Sequence, residues 1–99
     1  MSNVIVLGAG MVGSAMAIDM TRNHNTTVAD LSAETLQKLK ERCASLATIQ
    51  LDVTDTIKLH KTLEHFDLVI CAVPGFMGFD TLKSILNAGK NVIDISFTV

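Results

Sequence analysis

Six consecutive residues, Gly8-Ala9-Gly10-Met11-Val12-Gly13, have the types and spacing of a phosphate cradle. The pattern is G-x-G-x-x-G, and an acid, Asp30, stands about 20 residues further on. Each position has a physical task. Gly8 lets the chain turn sharply off a strand, Gly10 has no Cβ to block a pyrophosphate, and Gly13 lets the next helix pack close to the sheet. Ala9, Met11 and Val12 fill the remaining positions where the loop becomes a helix. The free N–H groups and partial positive charge of that helix end suit an anion, and no carboxylate lies between Met11 and Ile18 to compete. Asp30, with Leu31 beside it, is an acceptor for a ribose diol. A bare glycine turn is the plainer alternative, but strand, helix and acid in the right order favour a dinucleotide.

Two further stretches fall where such a ligand would extend. Asp52, in Leu51-Asp52-Val53-Thr54-Asp55, is suited to accept from an adenine amino group with the Val53 backbone beside the ring, although Asp52 or Thr54 would equally serve to cap the following helix. Ala72, Val73 and Pro74 are small apolar residues suited to the ribose and nicotinamide side, or else an ordinary turn into the next helix. Cys43 and Cys71 show no metal-ligand spacing and read as buried, reduced thiols of a cytoplasmic protein, and no metal is expected. His24, His60 and His65 read as surface residues.

The elements that must position these residues alternate along the chain. Short apolar runs give strands at Val4–Leu7, Thr27–Asp30, Ala47–Leu51, Leu68–Ala72 and Asn91–Ile95, of the kind that suits a parallel sheet covered on both faces. A first helix is expected over about Met11–Arg22, with Val12, Ala15, Met16 and Met20 on one face. A second starts at the N-cap Ser32 and turns Leu36, Leu39 and Cys43 inward. A third spans about Asp55–Glu64. A fourth, about Met77–Ala88, buries Phe79, Leu82, Ile85 and Leu86 and ends at Gly89 in a left-handed cap. Lys38–Arg42 forms a solvated face, with Glu34 and Lys38 spaced for an ion pair. Right-handed crossovers make this an α/β Rossmann-type doubly wound sheet of order 3-2-1-4-5, with its ligand crevice between strands 1 and 4.

Composition excludes several functions. The 99 residues fit one domain, 48% of them hydrophobic, with a net charge of −2 and neither Trp nor Tyr. Nucleic-acid binding thus lacks both a basic footprint and a stacking platform. Gly, Pro and Asp interrupt the apolar runs, so no membrane span or signal peptide is expected.

The later residues resemble the NAD(P)-binding domain of the saccharopine dehydrogenase superfamily, especially its L-lysine dehydrogenase-like members. The resemblance rests on Ala72-Val73-Pro74-Gly75-Phe76-Met77-Gly78-Phe79 and on Val92-Ile93-Asp94-Ile95-Ser96-Phe97, together with the glycine motif, Asp30 and Asp52-Val53-Thr54-Asp55. It implies a nicotinamide-dependent oxidoreductase acting on an amino or imine group of an amino acid such as lysine or saccharopine. It also implies that Gly8 to Val12, Asp30, Asp52, Val53, Ala72, Val73 and Pro74 hold the cofactor, with Asp94 and Ser96 toward the substrate. Members of that family continue into a separate catalytic domain, whereas this chain stops at Val99. Residues 1–99 are therefore expected to be the cofactor domain alone, inactive by itself, with the catalytic residues elsewhere. A non-enzymatic nucleotide sensor and a methyltransferase are the competing readings. The first lacks the A-V-P-G-F-x-G-F element, and the second fits the G-x-G-x-x-G spacing less well.

Strand 5 is an edge strand in this reading. Val92, Ile93, Ile95 and Phe97 give it an apolar character that Lys90 and Asp94 blunt only slightly. The chain is accordingly expected to form a homo-oligomer paired through residues 91–99. Sedimentation at several concentrations should show a concentration-dependent dimer that Ile95→Lys shifts toward monomer; a monomer near millimolar concentration would refute the pairing.

Overall fold

A computed structural model describes residues 2–72, 83, 85–87 and 89–94. Five strands, β1 (Asn3–Leu7), β2 (Asn25–Asp30), β3 (Ala47–Gln50), β4 (Leu68–Cys71) and β5 (Asn91–Asp94), form one sheet in the order β3-β2-β1-β4-β5. Every pairing is parallel, with Leu7 opposite Ala29 on one side and Cys71 on the other. The expected topology is the one observed, and each strand lies within two residues of its expected bounds.

β1 explains why the sheet reads as unbroken apolar runs. Val4, Ile5, Val6 and Leu7 are all fully buried. Side chains alternate across a strand, so Ile5 and Leu7 enter one cluster and Val4 and Val6 the other. Helices α1 (Met11–Met20) and α2 (Ala33–Arg42) cover the second cluster through Ala17, Leu36 and Leu39. Helix α3 (Thr56–Leu63) covers the first with Leu59 and Leu63, joined by Ile85. No helix of the described residues is long and apolar enough to cross a membrane.

Local signals set the helix ends. Ser32 caps α2 by accepting a hydrogen bond from the Thr35 N–H at 3.2 Å. Near its C-terminus, the Lys40 ammonium donates to the carbonyl of Leu46. The exposed Glu34–Lys38 pair forms at 3.2 Å, worth only tenths of a kcal/mol at such a site. Asp55, not Asp52 or Thr54, caps α3, accepting from the Lys58 N–H at 3.2 Å. Asp52 instead closes a tight turn with Thr54.

The fourth helix was expected over Met77–Ala88. Of that span, Lys83 and Ile85–Asn87 are described and helical, while Phe79 and Leu82 lie outside the described residues. Gly89, with φ +73°, ends it. Its N–H donates to Leu86 O at 3.0 Å and the Lys90 N–H to Ile85 O at 3.5 Å, the paired bonds of a Schellman cap. That geometry demands the left-handed region that glycine adopts at least cost.

Several expectations about burial need correction. Leu86 is 58% exposed, and among the described residues of that helix Ile85 is the buried one. On α1 the inward residues are Gly13, Ser14 and Ala17, while Val12 and Ala15 face outward. Small residues turn inward because the helix lies too close to the sheet and loop for larger ones. His24 and His60 are half-buried, His24 with a buried Nδ1, so neither is a plain surface residue, whereas His65 is exposed. Cys71 is buried as expected, whereas Cys43 is half-buried.

The contrast between neighbours is measurable. Ile85→Ala should cost about 2–5 kcal/mol in urea unfolding, whereas Leu86→Ala should cost under about 0.5 kcal/mol. Equal losses would return Leu86 to the core.

Candidate functional site

The site begins where β1 ends. The Gly8 N–H still donates to Ala29 O at 2.7 Å, and on the other side the Ala72 N–H donates to Leu7 O at 2.8 Å. Gly8 then turns with φ +106°, a conformation that side chains strain to adopt. This turn lifts the chain out of the sheet between β2 and β4, where the strand order reverses.

Two residues further on, from Met11, the chain returns as α1, pressed against the turn. A Cβ placed on Gly13 would stand 2.1 Å from the carbonyl oxygen of Gly8 and 3.2 Å from Ala72 Cβ. Gly13 is therefore fixed by contact with loop and β4 together. Gly10 is different, since a Cβ there meets no atom within 4 Å. Its lack of a side chain serves nothing inside the protein and leaves open space above the loop. Gly10 is also the N-cap of α1, with no side-chain capping bond and no acid in the first turn. The N-terminus of α1 thus keeps its positive end for an anion.

Ala9 is held on both sides. Its N–H donates to Asp30 Oδ2 at 2.7 Å, and its carbonyl accepts from Ser14 Oγ at 2.9 Å. The other oxygen of Asp30 accepts from the Ser32 N–H at 2.9 Å. Around this rigid loop stand exposed apolar groups: Met11 is 91% exposed, Val12 44% and Leu31 63%.

The structure brings Gly8, Ala9, Gly10, Met11, Val12, Gly13 and Asp30 together at the C-terminal end of the sheet, with Ala72 beside Gly13. Leu31 follows Asp30, and its carbonyl accepts from Gln50 Nε2 at 3.0 Å, joining the β2 and β3 ends. Asp52 is exposed on the loop after β3, while the Val53 side chain is buried in the core cluster. The Thr54 hydroxyl at 2.6 Å and then the Thr54 N–H at 2.9 Å hold the Asp52 carboxyl below the usual carboxylate range. Val73, Pro74 and Ser96 lie outside the described residues.

Two features escaped the sequence reading. Ser14 ties the helix back to the loop, and only its place next to Gly13 hinted at it. A cavity of about 440 Å³ also lies between the start of α1 and the face of α2, lined among others by Gly10, Met11, Ser14, Thr35, Lys38 and Arg42. The spacing of Thr35, Lys38 and Arg42 on one helical face was the available signal. Cys43 stands apart from the loop; the Ser45 hydroxyl at 3.4 Å holds its thiol below the usual value.

The family model of the saccharopine dehydrogenase NADP-binding domain matches residues 4–99. Saccharopine dehydrogenase (L-Glu forming) of Saccharomyces cerevisiae is 32% identical over 98% of this chain, with a TM-score of 0.81, and the chain spans 22% of that enzyme. A 3-hydroxyacyl-CoA dehydrogenase of Archaeoglobus fulgidus shares the fold at 17% identity and a TM-score of 0.79, over 98% of this chain and 34% of its own. So does the enzyme WbmG of Bordetella bronchiseptica, solved with NAD, at 18% identity and a TM-score of 0.72 over 94% and 36%. No curated protein matches the chain.

The glycines separate structure from binding. Gly13→Ala should lose several kcal/mol of stability, because backbone must move to admit the methyl group. Gly10→Val should melt within a few degrees of the parent yet lose nucleotide binding in calorimetry. Retained binding by Gly10→Val would show that the ligand does not pass over this loop.

Proposed function

The chain belongs to the saccharopine dehydrogenase NADP-binding domain family, and on that premise we propose that it holds NAD for an oxidoreductase acting on the amino or imine group of an amino acid such as lysine or saccharopine. The observation that carries this reading is the open space at Gly10, set above an uncapped helix N-terminus. The backbone of Gly8 to Gly13 would cradle the pyrophosphate, and Asp30 would accept from the adenosine ribose. Met11, Val12 and Leu31 would lose their exposed apolar surface against the cofactor, and Asp52 would border the adenine. Ala72, Val73 and Pro74 would flank the nicotinamide side. Bound there, the nicotinamide supplies a carbon that accepts or gives a hydride. The substrate must be held against that carbon. A chain spanning 22% of the yeast enzyme leaves most of that task to residues outside these 99.

The choice of NAD rests on Asp30. A 2′-phosphate would bring close to two negative charges beside a carboxylate, and no Arg follows Asp30 in the next few residues. NADP is the second reading. It is favoured by the family description and by Lys38 and Arg42 on the cavity next to the glycine loop.

Titration calorimetry with both cofactors separates the two. NAD should bind more tightly, at roughly micromolar to millimolar Kd, with Asp30→Ala narrowing the gap and no turnover of lysine or saccharopine by the 99-residue chain. Equal or tighter NADP binding, weakened selectively by Arg42→Ala, would establish the second reading instead.

A further inference from the structure

The carboxylate of Asp30 is engaged without any ligand. The β1–β2 ladder ends with the Gly8 N–H on Ala29 O at 2.7 Å. The next amide of the loop, Ala9, turns to the next residue of β2 but meets its side chain, at 2.7 Å from Asp30 Oδ2. A side chain thus supplies one more rung after the backbone ladder has stopped. Its other oxygen takes the Ser32 N–H at 2.9 Å, and Ser32 is the N-cap of α2. One carboxylate therefore ties the phosphate loop to the start of α2. Ser14 Oγ pins the next peptide at 2.9 Å, on Ala9 O, so Ala9 is held from both sides, and Ala9 is 5% exposed.

From this we infer that Asp30 is a positioning residue for the glycine loop as well as an acceptor for ribose. The inference rests on the nucleotide reading and adds a second task to one of its residues. A carboxylate has about four acceptor sites, and the two N–H groups use two. A ribose diol can donate to the others while both backbone bonds stay in place. A 2′-phosphate at the same spot brings acceptors and charge but no donors, so Asp30 would have to swing aside and release Ala9 and Ser32. Discrimination against the phosphate would then act through the order of the loop as well as through repulsion. A substitution meant to relax specificity at residue 30 would weaken pyrophosphate binding too.

Adenosine diphosphate and its 2′,3′-dideoxy analogue separate the two tasks, because the analogue keeps the pyrophosphate and lacks the diol. If Asp30 only reads ribose, Asp30→Ala lowers affinity for the diphosphate alone. If it also positions the loop, the analogue weakens as well, by about tenfold on the usual worth of a charge-assisted hydrogen bond. Asp30→Asn keeps the shape but accepts on one atom only, so it should fall between Asp and Ala, and it gives the result should Ala not fold. Amide exchange gives a readout without ligand. The Ala9 N–H should exchange about tenfold faster in both variants while the Val28 N–H, in the core of β2, stays as in the parent. Unchanged analogue affinity together with unchanged Ala9 exchange would overturn the inference. Failure of the parent chain to bind any adenine nucleotide would defeat the nucleotide reading instead, and Ala9 exchange would still decide whether Asp30 holds the loop.

Discussion

The carbonyl of Gly8 and the backbone of Gly13 share a gap too narrow for a methyl group, since a Cβ on residue 13 would lie 2.1 Å from the oxygen. Most of the site follows from that contact. It fixes how α1 starts relative to the end of β1, so the helix N-terminus opens over the sheet's C-terminal edge. It makes the inward face of α1 small, with Gly13, Ser14 and Ala17. It also brings Ser14 within reach of the Ala9 carbonyl. The cradle is thus held by packing before any anion arrives, so little ordering remains for binding to supply.

The sheet supplies the rigidity that this contact needs. β1 is buried on both faces and paired on both edges, and the loop leaves directly from it. Apolar side chains on alternate faces tie it to α1 and α2 on one side and α3 on the other. A displacement of the loop would have to move β1, and moving β1 disturbs both clusters. The acids Asp30 and Asp52 stand at or just past strand ends, where they close local turns instead of entering the core.

β1 and β4 were legible because burial on both faces leaves the same mark in sequence and structure, a short unbroken run of apolar residues. The glycine loop was legible because Gly8 is required by its positive φ and Gly13 by its contact with the Gly8 carbonyl, with Gly10 at the fixed spacing between them. The faces of α1 were legible only in part, since Met16 and Met20 pack against the core as expected but Val12 and Ala15 do not. Large apolar residues usually mark the buried side of a helix, but here Met11 and Val12 point outward over the loop and the smallest residues are inside. The cap of α3 was ambiguous because Asp52, Thr54 and Asp55 are all capping types, and only backbone geometry chooses among them. The bond from Ala9 to Asp30 joins residues 21 apart. The acid could be read from its spacing, but not the amide it already holds. The cavity beside α2 was invisible for a similar reason, because it depends on how two helices stand against each other.

The central place of β1 also sets the order in which its two edges can be covered during synthesis. Its partner β2 follows soon after, at residues 25–30, whereas β4 comes only at residues 68–71. At about 5–20 residues per second, making the intervening stretch takes roughly 2–7 s. Throughout that interval the oldest and most apolar strand has one bare edge. The tie that closes it, with Asn3 N–H on Asp67 Oδ2 at 2.8 Å, spans 64 residues. A nascent chain of this design is exposed to wrong pairing at its most central strand, and its own later half is the remedy.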